Sequence, residues 1–590
     1  MSAADPIPLP SKSDRWIEVR TQNFILYADA SESKTKDVGL DMERLRTVLL
    51  AMKRGSAYAP VPTWIYVFKN HAALEPYLPR RNGEPEDWAG YFQGTGEGNY
   101  AALTAAWNAD PRPIVYHSYI YQFIRANFPS LPAWYEEGVA EYYSTFQTEG
   151  EEARTGMIRE DHLAYLRNTM MMSLDRLLAV QRGDPEVEDP KRADLFYAES
   201  WAFVHYLMRG NESRTPQLGT YLALIAKGRP RDEAFREAFG ADYATVFGEL
   251  VAYIRNKRFF YNRVRFAELK PPTETHVSAM TYQDVLIRLG DLLTNMGDGR
   301  FAEAERYYEA ALSADPASAG ALGGLGLLRK RQKRDEDAQG LLRKSIAAGS
   351  TDFRVYYAEG RYRWEALVAR PHPASGLGPE ERALLDGARA DFRKSAELER
   401  DFPEALAALG RTYTAEPRGA SLDDGIAALE EAHKRLPSRE DVSLDLARLY
   451  EHKGDAAHAN AVVKTVSGPQ AAEALAQHKS ESDFEARVAE INTLLEAGKV
   501  DEALVVLDRV IDQSSGEVRV EMEKQRAILR EGAAHNHAIA QYNAALALYN
   551  QHDAAGAIAA LRKLAAETAD AEVAAKARAT ADDISRRKPK

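Results

Sequence analysis

IVYHSYIYQFIRANFPSLPAWYEEGVAEYYS, residues Ile114 to Ser144, reads as a helix, a Pro-marked turn and a second helix. The first helix carries His117 and the second carries Glu137 and Glu141, residue types that can hold a metal or move a proton. Working outward, Trp16–Tyr27 is a strand or hairpin broken by the polar run RTQN, and Trp64–Phe68 is a short apolar strand. Between them Lys34–Lys53 places Val38, Leu40, Met42, Leu45, Val48, Leu49 and Met52 at helical spacing. Trp88–Leu103 reads as strand, Gly-rich turn and strand. Gly94, Gly96 and Gly98 suit a hairpin turn with positive φ, and no GK[ST] follows them as a phosphate loop would require.

After Ser144 the pattern is helical. Asp161–Val180 is one helix or two, followed by Leu195–Met208, Leu218–Ala226, Arg231–Phe239 and Tyr243–Arg258, with Arg182–Arg192 a polar loop. From about Tyr282 alanine, leucine and glycine rise and a period near 34 appears, the period of tetratricopeptide repeats. Gly290, Gly326, Gly360, Gly410 and Ala447 occupy the small-residue slot of successive first helices. Ala304, Ala338, Ala388, Gly425 and Ala459 recur in the second helices, each followed four positions later by Tyr308, Leu342, Phe392, Leu429 or Val463. Small residues at these places let two helices cross closely, and five units fit across 282–466, with insertions near Gly297–Gly299, Arg370–Asp386 and Ala415–Ser421. Weaker helix pairs recur around Gly498 and Ala503, and around Gly556 and Ala557.

The 590 residues exceed a single core, and the net charge of −12 argues against a general nucleic-acid binder. With no cysteine, disulfides, thiolate chemistry and Cys-ligated zinc are excluded. No apolar run approaches the ~20 residues that span a bilayer. The first residues lack a basic n-region and an apolar h-region, so the expectation is a cytoplasmic chain, or a periplasmic or cell-envelope one whose leader has been removed.

Leu131–Tyr142, LPAWYEEGVAEY, resembles the LPxWxxEGLAEY segment of gluzincin-type zinc metallopeptidases, and more closely the bacterial peptidase-MA-like domains found ahead of tetratricopeptide repeats. Tyr197–Leu207, YAESWAFVHYL, is similar to that family's YAxSWALVHYL helix, and Glu233–Gly240 to another of its segments. The resemblance implies an α+β zincin-like lobe, a small sheet plus helices, followed by an all-α repeat solenoid. The organisation expected is a disordered lead-in over 1–14, the degenerate lobe over 15–265, repeats over 280–466 and further repeat-like helices over 467–585.

The family carries HExxH where this chain has His117-Ser118-Tyr119-Ile120-Tyr121. Two histidines four apart share a helix face and bind one zinc, and the Glu between them is the general base. Ser118 stands at the base position and Tyr121 at the second ligand position; a serine hydroxyl cannot serve as that base and a neutral phenol is a poor zinc ligand. His117 and, by the resemblance, Glu137 as third ligand are a metal-site remnant, or a buried histidine and its carboxylate partner. Glu141 and Glu136 read as a supporting or solvated pair. Tyr116, Tyr121, Trp134, Glu141 and Tyr142 are the candidate cleft lining, where tyrosines offer stiff contact area to a peptide. His205 reads as a core histidine, Met170, Met171 and Met172 as a core patch, and Glu149–Glu152 as a solvated loop.

The reading is a pseudo-metallopeptidase whose repeats bind a protein or peptide in a concave groove. No cofactor is expected, and zinc is the ion if the remnant binds one. The alternatives are a metal-dependent hydrolase with altered ligands, including a Tyr121 phenolate, and a self-assembling repeat homo-oligomer.

Overall fold

The computed structural model describes residues 8–52, 61–81, 84–106, 110–128, 131–256, 258–370, 377–415, 422–437, 439–466, 471–514 and 516–586. Strand alternation decides its central layer. The strands β1 (Ile17–Arg20), β2 (Phe24–Ala28), β3 (Thr63–Phe68), β4 (Gly90–Thr95), β5 (Gly98–Thr104) and β6 (His276–Ala279) form one sheet in the order β6-β1-β2-β3-β5-β4. β2, β3 and β5 run parallel, and the outer pairings are antiparallel. Phe24, Leu26, Ile65, Val67, Ala101 and Leu103 face one side, while Tyr27, Trp64, Tyr66, Phe68 and Tyr100 face the other. Both sides are buried, which is why β3 reads as an unbroken apolar run.

The first side packs on α1 (Glu32–Met52) and α2 (Arg112–Asn127), through Met42, Leu45 and Leu49 and through Val115, Tyr119, Ile120 and Phe123. α3 (Ala133–Ser144), α4 (Glu160–Asn168) and α5 (Pro190–His205) continue the same core. The segment read as a solvated loop at 149–152 is instead the turn of a hairpin, Gln147–Glu149 with Glu152–Thr155, whose second strand pairs with Asn262–Arg265. Gly94, Gly96 and Gly98 do not take the positive φ expected of them. Gly98 is there because the Trp64 ring lies against its α-carbon.

The second side of the sheet packs on helix pairs. The pairs are α6 (Tyr282–Thr294) with α7 (Phe301–Ala314), α8 (Ala319–Arg331) with α9 (Asp335–Ala347), and α10 (Phe353–Val368) with α11 (Pro379–Leu398). They continue as α12 (Pro403–Arg411) with α13 (Leu422–Arg435), and α14 (Glu440–Lys453) with α15 (Ala456–Val463). The small-residue slots are where close packing needs them. A Cβ at Gly290 would sit 3.0 Å from the Tyr308 ring, one at Gly326 3.0 Å from Leu342 and one at Gly360 2.8 Å from Phe392. Gly410 meets Leu429 in the same way. Residues 371–376 and 416–421, within two of the predicted insertions, lie outside the described residues.

The concave groove expected of the repeats is covered by the sheet over the leading three pairs. Tyr66 donates to the Arg288 carbonyl at 2.9 Å, the hydroxyls of Tyr77 and Tyr307 meet at 2.9 Å, and Lys330 pairs with Glu97 at 2.7 Å. Arg354 Nη1 donates to Asp291 at 2.8 Å and to Tyr100, and its guanidinium lies 4.9 Å from the Trp64 ring centre. Sheet and repeats thus share one core, Tyr27, Tyr66 and Tyr100 packing with Leu286, Leu289, Leu293 and Tyr308. The lead-in expected to be disordered is tied down over its second half, because Tyr307 and Tyr282 donate to the carbonyls of Pro8 and Pro10. Residues 1–7 lie outside the described residues.

Residues 1–469 make one compact unit and 470–590 another. The second holds the helices Ala471–Glu496, Val500–Gln513, Gly516–Asn550, Ala554–Glu567 and Ala571–Arg586. Its cores gather Ala503, Leu507 and Ile511, and Tyr542, Leu561, Leu564 and Ala577. No helix among the described residues is long and apolar enough to cross a membrane.

Candidate functional site

α2 buries Val115, Tyr116, Tyr119, Ile120, Phe123 and Ile124, a stripe at helical period that fixes its rotation and leaves His117 on the flank. Pro132 in extended conformation starts α3, and Trp134, fully buried against Phe203 and Tyr221, anchors it. One turn on, any side chain at Gly138 would run into the Ser200 carbonyl and Val204 of α5. That crossing sets α3 so that Glu137 and Glu141, four apart and on one face, both point at His117.

His117 Nε2 donates to Glu137 Oε1 at 2.6 Å and lies 3.5 Å from Glu141 Oε1. One ligand atom from each of the three falls within 4.8 Å of the others. The His117 side chain is 25% exposed while both carboxylates are 8% exposed, so the cluster is reached from the imidazole side. Burial works against a charged imidazole, but Glu137 and Glu141 outweigh it and lift the His117 pKa to about 9. Burial likewise works against charge on Glu141, but His117, His162 and Arg159 bring it down to about 2.

Two partners in this cluster are absent from the sequence reading. Arg159 donates to Glu141 Oε2 at 2.6 Å, and His162 Nε2 lies 3.4 Å from the same oxygen, buried and without a hydrogen-bond partner among the described residues. Both sit about one α4 turn apart at the start of that helix, and only the fold brings them to α3. Tyr197 is the third addition. Burial, reinforced by Glu137, Tyr121 and Glu141, raises its phenol to about 12. Burial raises the Tyr121 phenol too, with Arg125 opposing and Glu136 and Glu137 adding, which counts against a phenolate at that position.

Tyr116, Trp134 and Tyr142 do not line a cleft; they are buried, Tyr116 against Phe146 and Tyr142 against Tyr143 and His205. Glu136 is not a solvated partner of Glu141, because it is buried and held by Arg182, whose Nε donates at 2.9 Å. Met170 is 91% exposed and outside the core. His205 fits its core reading: buried, it bonds the Tyr253 hydroxyl at 2.7 Å and the Gly156 carbonyl at 3.0 Å. Glu199 of α5 is a buried carboxyl that burial pushes up to about 8; it accepts the Met172 N–H at 2.6 Å.

As a donor set, one imidazole nitrogen and two carboxylate oxygens at this spacing suit a divalent cation. The set lacks a second imidazole, and Glu136, Glu137 and Glu141 are none of them free to act as a base. Glu136 is bound to Arg182, Glu137 to His117 and Glu141 to Arg159.

Residues 295–362 match the tetratricopeptide-repeat family, and residues 117–232 match a family described as a protein of unknown function, DUF1570. No curated protein matches the chain. Solved structures similar to it include YrrB, described as a TPR protein with an unusual peptide-binding site, at 18% identity and a TM-score of 0.26 over 33% of this chain and 90% of that one. MamA is similar at 21% identity and a TM-score of 0.23 over 31% and 92%. PilF of Pseudomonas aeruginosa is similar at 18% and 0.25 over 41% and 97%. What these matches add to the geometry is that the helix pairs on the sheet include tetratricopeptide repeat, over 295–362.

Proposed function

We propose that this chain is a protein-binding scaffold in which a metallopeptidase-like lobe, silent in hydrolysis, is built onto tetratricopeptide repeats. The observation that carries the reading is the state of the cleft carboxylates. Each one within reach of His117 is bound by a cation, and the base position is Ser118. Where a carboxylate is the general base, as in HExxH sites, it must be free and have a pKa near the working pH. An ion in the cleft would be held by His117, Glu137 and Glu141 and would supply Lewis acidity. These side chains position each other and offer no proton acceptor for an attacking water.

The partner surface follows from what the sheet covers. With the first helices of the leading three pairs packed on β2, β3 and β5, and Ala405 at the start of α12 in the same core, a peptide is left the end of α12 and the start of α14, where the half-exposed Arg411 and Arg439 pair with Asp441. We place the chain in the periplasm or cell envelope on the strength of the family resemblance.

Two assays test the reading. A quenched-fluorophore peptide pool is incubated with the purified chain in zinc or manganese, and no cleavage is expected. Cleavage that a chelator stops and His117→Ala abolishes would overturn the silent cleft. Panning a displayed peptide library on the chain is expected to select peptides whose binding falls with Arg439→Glu. Selection of none, or of peptides indifferent to substitutions on α12 and α14, removes the scaffold reading.

A further inference from the structure

We propose that the cleft is a metal site in which Glu141 takes the ligand place that Tyr121 leaves vacant, giving a His117, Glu137 and Glu141 donor set suited to a manganese- or iron(II)-class ion. The inference rests on the cleft geometry and is independent of the scaffold reading.

The three donors come from two helices whose relation is fixed. Glu137 and Glu141 project from one face of α3, and His117 Nε2 on α2 stands 2.6 Å from the first and 3.5 Å from the second. Glu141 is divided between two tasks. Its Oε1 faces His117, while its Oε2 is held from outside by Arg159 at 2.6 Å with His162 at 3.4 Å. Supporting contacts of this kind orient a ligating carboxylate before the ion arrives. Arg159 and His162 are therefore positioning residues, His162 Nε2 being buried 3.4 Å from that carboxylate. The opening lies on the His117 side, the more exposed of the three.

The chemistry of the donors sets the class of ion. Replacing an imidazole by a carboxylate hardens the site, and oxygen-rich sets suit manganese while imidazole-rich sets suit zinc. Zinc still binds a nitrogen-and-oxygen set more tightly than manganese does, but a site with one imidazole narrows its lead.

The test is calorimetric titration of the chelator-treated full chain with Mn2+ and, separately, Zn2+. The expected result is one Mn2+ per chain, with affinity falling roughly tenfold or more in Glu141→Gln and in His117→Gln. Tyr121→His, which leaves Glu141 in place, is expected to widen the preference for Zn2+ over Mn2+ by roughly tenfold. Manganese uptake no stronger than in His117→Gln, or unchanged in a folded Glu141→Gln, overturns the proposal. Should Glu141→Gln fail to fold, Tyr121→His decides, and an unchanged ratio of the two affinities refutes the assignment. Peptide cleavage and peptide panning read neither outcome, so a failure here is separable from a failure of the scaffold reading.

Discussion

Among the ion clusters of the first unit, the one at the sheet–repeat junction and the one in the cleft are built from similar charges with opposite consequences. Between sheet and repeats, Arg354 binds Asp291 at 2.8 Å and Asp352, with Tyr100 as a further partner. In the cleft, His117 and Arg159 bind Glu137 and Glu141 at 2.6 Å each. The cation of the first cluster is permanent. Burial opposes charge on Arg354, but Asp291, Asp352 and Tyr100 hold its pKa well above the usual arginine value. One cation of the second is a proton on an imidazole, which a metal ion can replace. A closed charge network fixes a junction, and an exchangeable one leaves a site.

The harshest way to break the comparison is Arg354→Ala. It takes the guanidinium away from Asp291 and Asp352 at the layer that joins sheet and repeats, leaving Asp291 with Asn295 and Asp352 with a backbone N–H, and removing one partner of a buried pair costs about 3–5 kcal/mol. A urea titration followed by tryptophan fluorescence is expected to show the unfolding free energy of the first unit fall by that amount, with an earlier midpoint. A loss below about 1 kcal/mol would place the junction energy in the apolar core instead.

The cleft differs in being sensitive to pH. His117 titrates near 9 when folded and near 6.5 when unfolded, so its stabilisation is complete below about 6.5 and disappears as the pH rises through about 9. In chelator the chain should lose up to about 3 kcal/mol over that window, at 1.36 kcal/mol per pKa unit. His117→Gln should flatten the profile, and Arg354→Ala should shift it down without changing its slope. An unaltered slope in His117→Gln assigns the loss to another group.

How much of this was legible in the sequence depends on whether a contact lies within one motif or between distant ones. Gly290 with Tyr308 and Gly360 with Phe392 could be read because a repeat states the same contact several times in phase. The α2–α3 pair could be read because its helices are adjacent in the chain. Arg182 on Glu136 and Arg354 on Asp291 could not, since no local pattern links residues 46 and 63 positions apart. The burial of Tyr116, Trp134 and Tyr142 was hidden for a related reason. An aromatic beside a candidate ligand looks the same in sequence whether it lines a cleft or holds two helices together.

A milder probe asks whether the cleft depends on the crossing of α3 and α5. Gly138→Ala puts a methyl group against the Ser200 carbonyl, and an overpacked core typically costs about 1–3 kcal/mol. If the crossing aims Glu137 and Glu141, the variant should also lower the His117 pKa, read by the C2-proton shift in NMR. A destabilised variant with an unmoved pKa would mean that α2, and not the crossing, sets the geometry.

The smallest effect belongs to a pair that looks stronger than the junction pair on distance alone. Lys36 and Glu32 approach to 2.6 Å on the exposed face of α1, closer than Arg354 and Asp291 at 2.8 Å. They differ in surroundings, with side-chain exposures of 33% and 56% against 5% and 8%. Water and salt screen an exposed pair four apart on a helix, leaving about 0.3–0.5 kcal/mol. A double-mutant cycle on Lys36→Ala and Glu32→Ala is expected to return that coupling at low salt and almost none at 1 M. A coupling above about 1 kcal/mol would mean that separation outweighs burial in this protein, and the contrast between junction and cleft would then have to be drawn from distances instead of from which cation can leave.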